Sequence, residues 1–179
     1  MKNRAIFLDR DGTINEDAGY THKIEDLEFI DASIMGLERM QKSGYLLIIV
    51  TNQAGIAKGK YSEKDYFIFK DEMHKRLKEH GIILTAEYFC PHHMEGKIEE
   101  YKIDCSCRKP KPGMLEQAAK DFDLDLKKCW MIGDIPSDIL AGKNAGCRTI
   151  QVMTGKEKTE SNEADFLAYD LLHASYFIV

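Results

Sequence analysis

Two aspartates, Asp9 and Asp11, close the apolar run Ala5-Ile6-Phe7-Leu8, and Gly12-Thr13 follows at once. Such a run reads as a buried strand, and open α/β sheets place ligands at the C-terminal ends of their strands. One carboxylate can attack or ligate there while the other reaches round the turn as an acid. The plain alternative is a strand ending in a solvated Asp-Gly turn. Later segments weigh against it. Tyr45-Leu46-Leu47-Ile48-Ile49-Val50 runs into Thr51-Asn52-Gln53-Ala54-Gly55, and Cys129-Trp130-Met131-Ile132 runs into Gly133-Asp134-Ile135-Pro136-Ser137-Asp138. Arg108-Lys109-Pro110-Lys111-Pro112 lies between them. Phosphate-ester hydrolysis needs an attacking group, an acid for the leaving oxygen and positive charge around the phosphoryl oxygens. These segments supply all three.

A second set of residues suits a metal. Cys90-Pro91-His92 and Cys105-Ser106-Cys107 offer four ligands in two close pairs, and Cys₃His is a tetrahedral zinc set. Ligand-free thiols on a surface loop are the alternative, and His93 competes with His92. Cys129 and Cys147 sit in apolar strand contexts and read as core, as does Trp130. His22, His74, His80 and His173 show no partner pattern.

The elements that must position these groups alternate. Strands are expected at 5–8, 45–50, 84–89, 129–132 and 148–153, with a short one at 164–166. Ser33 is expected to cap a helix closed by Gly44, and Ser62 with Asp65 opens a longer one ended by Gly81. Pro112 suits a helix start, 136–145 is a helix stopped by Gly146, and a terminal helix follows. Residues 15–30 read as a loop or short hairpin at the mouth of the site. The stretch 90–111 is long and polar for a loop, so it is functional or held by something. Alternation of this kind predicts an α/β fold, a doubly wound parallel sheet with helices on both faces.

The chain has 179 residues, which fits one domain spanning 1–179. It carries 25 Lys+Arg against 30 Asp+Glu, a mildly acidic balance that argues against nucleic acid or an anionic membrane as partner. No apolar stretch has signal-peptide or membrane-span length. Five cysteines without a signal read as thiols or ligands. A soluble cytoplasmic protein, monomeric and acting on a small molecule, is the expectation.

In order, the chain offers D-x-D-G-T at Asp9, a strand-end Thr51, a Lys before Pro at Lys109 and G-D-x-x-x-D at Asp134. This order resembles the haloacid dehalogenase (HAD) superfamily over nearly the whole chain. Cys90-Pro91-His92-His93 and Cys105-Ser106-Cys107-Arg108-Lys109-Pro110 resemble its heptose-bisphosphate and histidinol-phosphate phosphatase group. The resemblance implies a Rossmann-like HAD fold with minimal cap and a zinc-bound loop. It makes Asp9 the nucleophile and Asp11 the acid–base. Thr51, Asn52 and Lys109 would hold the phosphoryl group, with Lys111 as the rival cation. Mg²⁺ would be held by Asp9, Asp134 and the Asp11 carbonyl; Asp138 is either a neighbour of that site or a helix-surface acid. Zn²⁺ would be held by Cys90, His92, Cys105 and Cys107. Arg10, Asp17, Gly19, Tyr20, Gln53 and Arg108 would meet a sugar-phosphate substrate, Arg108 taking a second phosphate. Asp17 to His22, Thr51 to Gly59 and Thr154-Gly155-Lys156 favour the heptose bisphosphate. Met94-Glu95 and Ile135 depart from that pattern, and histidinol phosphate stays open.

Overall fold

A computed structural model describes residues 2–156 and 159–179. The continuous apolar runs become six parallel strands: β1 (Ala5–Leu8), β2 (Leu46–Asn52), β3 (Ala86–Cys90), β4 (Trp130–Gly133), β5 (Arg148–Val152) and β6 (Phe166–Ala168). Their order across the sheet is β3-β2-β1-β4-β5-β6. The connections run outward in both directions from β1, so the strand order reverses between β1 and β4. That reversal opens a crevice at the strand ends.

Adjacent strand residues point to opposite faces, and each face has its own core. On one, Ile6, Leu8, Leu47 and Ile49 pack under α1 (Ser33–Lys42), α3 (Glu63–Glu79) and α6 (Leu171–Ile178). On the other, Ala5, Phe7, Ile48 and Val50 pack under α4 (Gly113–Asp121) and α5 (Pro136–Ala145), with Cys129 and Cys147 buried among them. A short α2 (Ala54–Ala57) follows β2 directly.

Ser62 and Asp65 form the expected capping box at the start of α3. The cap expected at Ser33 is a correction. Ser33 lies inside the helix, the capping position is Ala32 at φ 65°, and no side-chain bond is made. The cause is tertiary: a Cβ on Gly36 would lie 2.6 Å from the Leu171 carbonyl oxygen, so α1 presses against α6. The Ser33 hydroxyl is buried without a hydrogen-bond partner among the described residues. β6 also starts two residues later than its sequence suggests, because Asp165 is bonded to Thr149 instead of joining the strand.

Candidate active site

Asp9 leaves β1 at the strand-order reversal, where its amide donates to the Ile132 carbonyl of β4 (2.9 Å). Its Oδ1 accepts from Lys109 Nζ at 2.6 Å. The same ammonium pairs with Asp138 Oδ1 at 2.7 Å and donates to the Val50 carbonyl at 2.8 Å. Asp134 follows β4, and its Oδ1 accepts from the Thr13 hydroxyl at 3.2 Å. Gly12, at φ +84°, lets the turn pass this carboxylate: a Cβ there would lie 2.6 Å from Asp134 Oδ2.

Asp9, Asp134 and Asp138 each place an oxygen within 4.8 Å of the others. Three buried carboxylates face one buried ammonium, a surplus of two negative charges. Burial, reinforced by Asp138, raises Asp134 to about 7. Burial also raises Asp9 well above the carboxylate range, despite Lys109. Burial alone would lower Lys109, yet Asp138 and Asp9 reverse that and hold it charged. An all-oxygen set with surplus negative charge fits a hard divalent cation. Asp138 spends both oxygens, on Lys109 and on the Ile135 amide at 3.2 Å.

Asp11 points elsewhere. It receives Arg10 Nη2 at 2.8 Å, Asn15 Nδ2 at 3.0 Å and Gln53 Nε2 at 3.1 Å. Its carboxylate lies outside the three-acid cluster but on the same cavity of about 360 Å³. Thr51, Asn52, Gln53, Asp17, Gly19 and Tyr20 line that cavity too. Thr51 Oγ1 accepts from Gln53 Nε2 at 2.8 Å, which leaves its own hydrogen free to donate. Asn52 holds Lys109 by the backbone: Oδ1 takes the Lys109 amide and Nδ2 reaches its carbonyl, both at 3.1 Å.

Comparison with known proteins matches this arrangement. A HAD-hydrolase-like family model covers residues 106–174. The D-glycero-beta-D-manno-heptose-1,7-bisphosphate 7-phosphatase of Pasteurella multocida is 50% identical over 161 residues, 89% of this chain and 87% of that protein. The alpha-anomer enzyme of Photorhabdus laumondii is 45% identical over 178 residues, 99% of this chain and 97% of that protein. The solved D,D-heptose 1,7-bisphosphate phosphatase of B. bronchiseptica, complexed with magnesium and phosphate, is 27% identical with a TM-score of 0.86, covering 98% of this chain and 97% of that one. This chain belongs to the heptose-1,7-bisphosphate 7-phosphatase family. It is therefore a HAD-type phosphoric monoester hydrolase.

In this family member the Cys/His loop also gathers. Ligand atoms of Cys90, His92, Cys105 and Cys107 lie within 4.8 Å of one another. Cys107 Sγ is 2.9 Å from Cys90 Sγ and 3.5 Å from His92 Nδ1. His93 accepts the Glu95 amide at 3.1 Å and is outside the group. Hydrogen bonding from Cys90 lowers Cys107 to about 5, a thiolate ready for a cation. The loop is not held by these ligands alone. The Lys97 and Ile98 amides both donate to the Ala57 carbonyl, at 2.8 and 3.0 Å.

The other candidate residues divide among the core, a neighbouring cleft and the surface. Arg10 is fully buried behind Asp11 and absent from the cavity wall. Consecutive residues of an extended segment point opposite ways, and Arg10 faces the core under α3. Arg108 lines a neighbouring cleft of about 440 Å³ instead, donating to the His92 carbonyl at 3.2 Å; Lys109 borders both spaces. Lys111 is paired with Asp104 at the surface, whereas Lys109 is buried and ion-paired with Asp9 and Asp138. Asp138 is buried, so it is not a helix-surface acid. Lys156, from the Thr154-Gly155-Lys156 run, reaches the cavity, and so does Tyr61, whose segment carries no local sequence signal for it.

Proposed function

We propose that this enzyme removes the 7-phosphate of D-glycero-D-manno-heptose 1,7-bisphosphate through an aspartyl-phosphate on Asp9. The observation that carries the reading is the Asp9–Lys109–Asp138 contact beside Asp134, in a chain 50% identical to a phosphatase of that name. The Asp9 carboxylate attacks phosphorus as the bond to the sugar oxygen breaks. Asp11 protonates the leaving alkoxide, then takes a proton from the water that hydrolyses the acyl phosphate. Lys109, the Thr51 hydroxyl and the Asn52 amide hold the phosphoryl oxygens where charge spreads. Asp9, Asp134 and the Asp11 carbonyl would hold magnesium, which when bound would supply the positive charge that lets an anion approach an anion. Asp138 keeps Lys109 aimed. Asp17, Gly19, Tyr20 and Gln53 form the wall that the sugar meets, and Arg108 waits in the adjoining cleft for the remote phosphate.

Zinc in the Cys90, His92, Cys105 and Cys107 set would fix the loop that carries Arg108 and Lys109. A thiolate-rich metal site suits a reducing compartment, which supports a cytoplasmic enzyme. Among the described residues no helix is long and apolar enough to cross a membrane. The whole of 1–179 would act as one catalytic domain and as a monomer, checked by light scattering. Nucleic acid is not expected as a substrate for an acidic chain of net charge −5. The deciding experiment compares kcat/KM for both anomers of the heptose bisphosphate with that for histidinol phosphate. A preference for histidinol phosphate overturns the substrate.

A further inference from the structure

We infer that Arg10 is a positioning residue for Asp11, and that Glu87 is the buried counter-charge that keeps Arg10 in place. The inference rests on the reading of Asp11 as the acid–base. Arg10 is fully buried, yet its guanidinium reaches Asp11 through two nitrogens: Nε at 3.1 Å and Nη2 at 2.8 Å. Nη2 also donates to the Thr21 carbonyl at 2.7 Å, which ties it to the loop over the site. The ring of Phe69 on α3 lies 4.6 Å from the guanidinium carbon, and that of Tyr66 lies 5.8 Å away. A planar cation stacked on one ring and forked onto one carboxylate has little freedom to turn. It can aim Asp11 from outside the cavity wall.

Something must balance this cation from behind. Glu87 on β3 has a fully buried side chain, which is costly for a carboxylate without partners. Its Oε1 accepts from Tyr66 Oη at 2.7 Å and its Oε2 contacts His74 Nε2 at 2.7 Å. Tyr66 joins the two, since one ring both flanks Arg10 and bonds Glu87. Arg10 Nη1 has no hydrogen-bond partner among the described residues, so long-range attraction is what that end of the guanidinium has. Asp11 in front and Glu87 behind therefore share one buried cation. Its orientation depends on both.

A loss of aim has a kinetic signature that a loss of folding lacks. An acid matters most when the leaving group is poor, so a misplaced Asp11 hurts an alkyl phosphate more than an aryl phosphate. The test measures kcat/KM for heptose bisphosphate, an alkyl ester, and for 4-nitrophenyl phosphate. In Asp11→Asn the alkyl ester should lose about 10²–10⁴-fold more than the aryl ester. No gap there would mean that Asp11 is not the acid, a failure of the underlying reading and not of the network. With that gap established, Arg10→Gln should open one of about 10- to 100-fold, the scale of a misplaced catalytic group. Arg10→Lys should recover part of it, and Glu87→Gln should open a smaller gap in the same direction. Equal losses on both esters in these variants would overturn the inference and leave the network as core packing. Should Arg10→Gln fail to fold, Arg10→Lys and Glu87→Gln decide by the same ratio, and an unchanged ratio overturns it.

Discussion

At the carboxylate pocket the acids leave the end of a strand or the first turn of a helix: Asp9 after β1, Asp134 after β4, Asp138 in α5. At the Cys/His loop, between β3 and α4, only one short turn at Glu99–Tyr101 interrupts irregular backbone. The two regions meet at Arg108 and Lys109. The sheet holds the first region, and its hydrogen bonds cost no further ordering once the core has formed. The second has few buried apolar residues of its own, so its order depends on cross-links: two amides on the Ala57 carbonyl and four metal-type ligands on one another. Lys109 lies on the loop in sequence but belongs to the pocket in space, because Asn52 on β2 grips its backbone at both ends. Arg108 has no such grip from the sheet. Its guanidinium donates to the His92 carbonyl, inside the loop. Lys109 is thus anchored to the rigid scaffold, while Arg108 sits on the irregular segment that the Cys/His group cross-links.

The hardest break in the pocket is Asp9→Asn. The fold should survive, because the substitution relieves a surplus of negative charge, while turnover should fall below roughly a thousandth of wild type with its nucleophile gone. Phosphate-mimic trapping should label Asp9 in the wild-type protein. Residual activity above that level, once deamidation is excluded, argues against a covalent step at Asp9.

On the loop, Cys107→Ser should release the zinc, since structural sites require all four ligands. Elemental analysis of protein purified without chelator should find about one zinc per chain in the wild type and little in the variant. The contrast between regions predicts an uneven kinetic result. KM for the bisphosphate should rise more than kcat falls, because Asn52 still holds Lys109. A kcat loss as deep as that of Lys109→Ala would show that the loop, not the sheet, positions the lysine.

Magnesium should stabilise the pocket in a pH-dependent way. Without metal, Asp134 gives up its proton only near pH 7, against 3.8 for an ordinary aspartate. The folded state then holds a proton that the unfolded state releases, so metal-free stability falls as pH rises between those values. Magnesium binds the deprotonated carboxylates, so its gain in Tm should grow across the same window and level off above it. At a hundred times Kd the gain is worth about 2.7 kcal/mol. A gain independent of pH would place the ion elsewhere.

Much of this was legible in the order of residues. Strand ends carried the acids because apolar runs of four to six residues announce buried strands, and glycines such as Gly81 and Gly146, at φ +77° and +83°, stop helices cleanly. What stayed hidden came from distant contacts. Ser33 looked like a cap until α6 pressed on α1. Arg10 was expected at the substrate from the family resemblance, yet the alternation of an extended chain turns it into the core. Glu87 and His74 carry no local pattern, and their pairing exists only once α3 packs over β3. Tyr61 arrives at the cavity from the loop after α2 with nothing local to announce it. Local patterns report the elements, and side-chain partners across the sheet report the rest.

The finest test of the two regions is Arg108→Ala. The side chain lies outside the cavity that holds the carboxylates and faces a separate cleft, yet the next residue is the pocket's own ammonium. A substrate with its reacting phosphate beside Lys109 would extend its other end toward this cleft. A charge-assisted hydrogen bond there is worth about 1.5–3 kcal/mol, or roughly ten- to more than a hundredfold in kcat/KM. The loss should fall on the bisphosphate and spare a monophosphate that lacks the remote anion, whereas Lys109→Ala should depress both alike. It should also depend on zinc: in the Cys107→Ser background, with the loop already loosened, removing Arg108 should cost little more. Equal losses on both substrates would move Arg108 into the phosphoryl-transfer pocket. A full additional loss in the zinc-free background would mean that the arginine is held by something other than the loop.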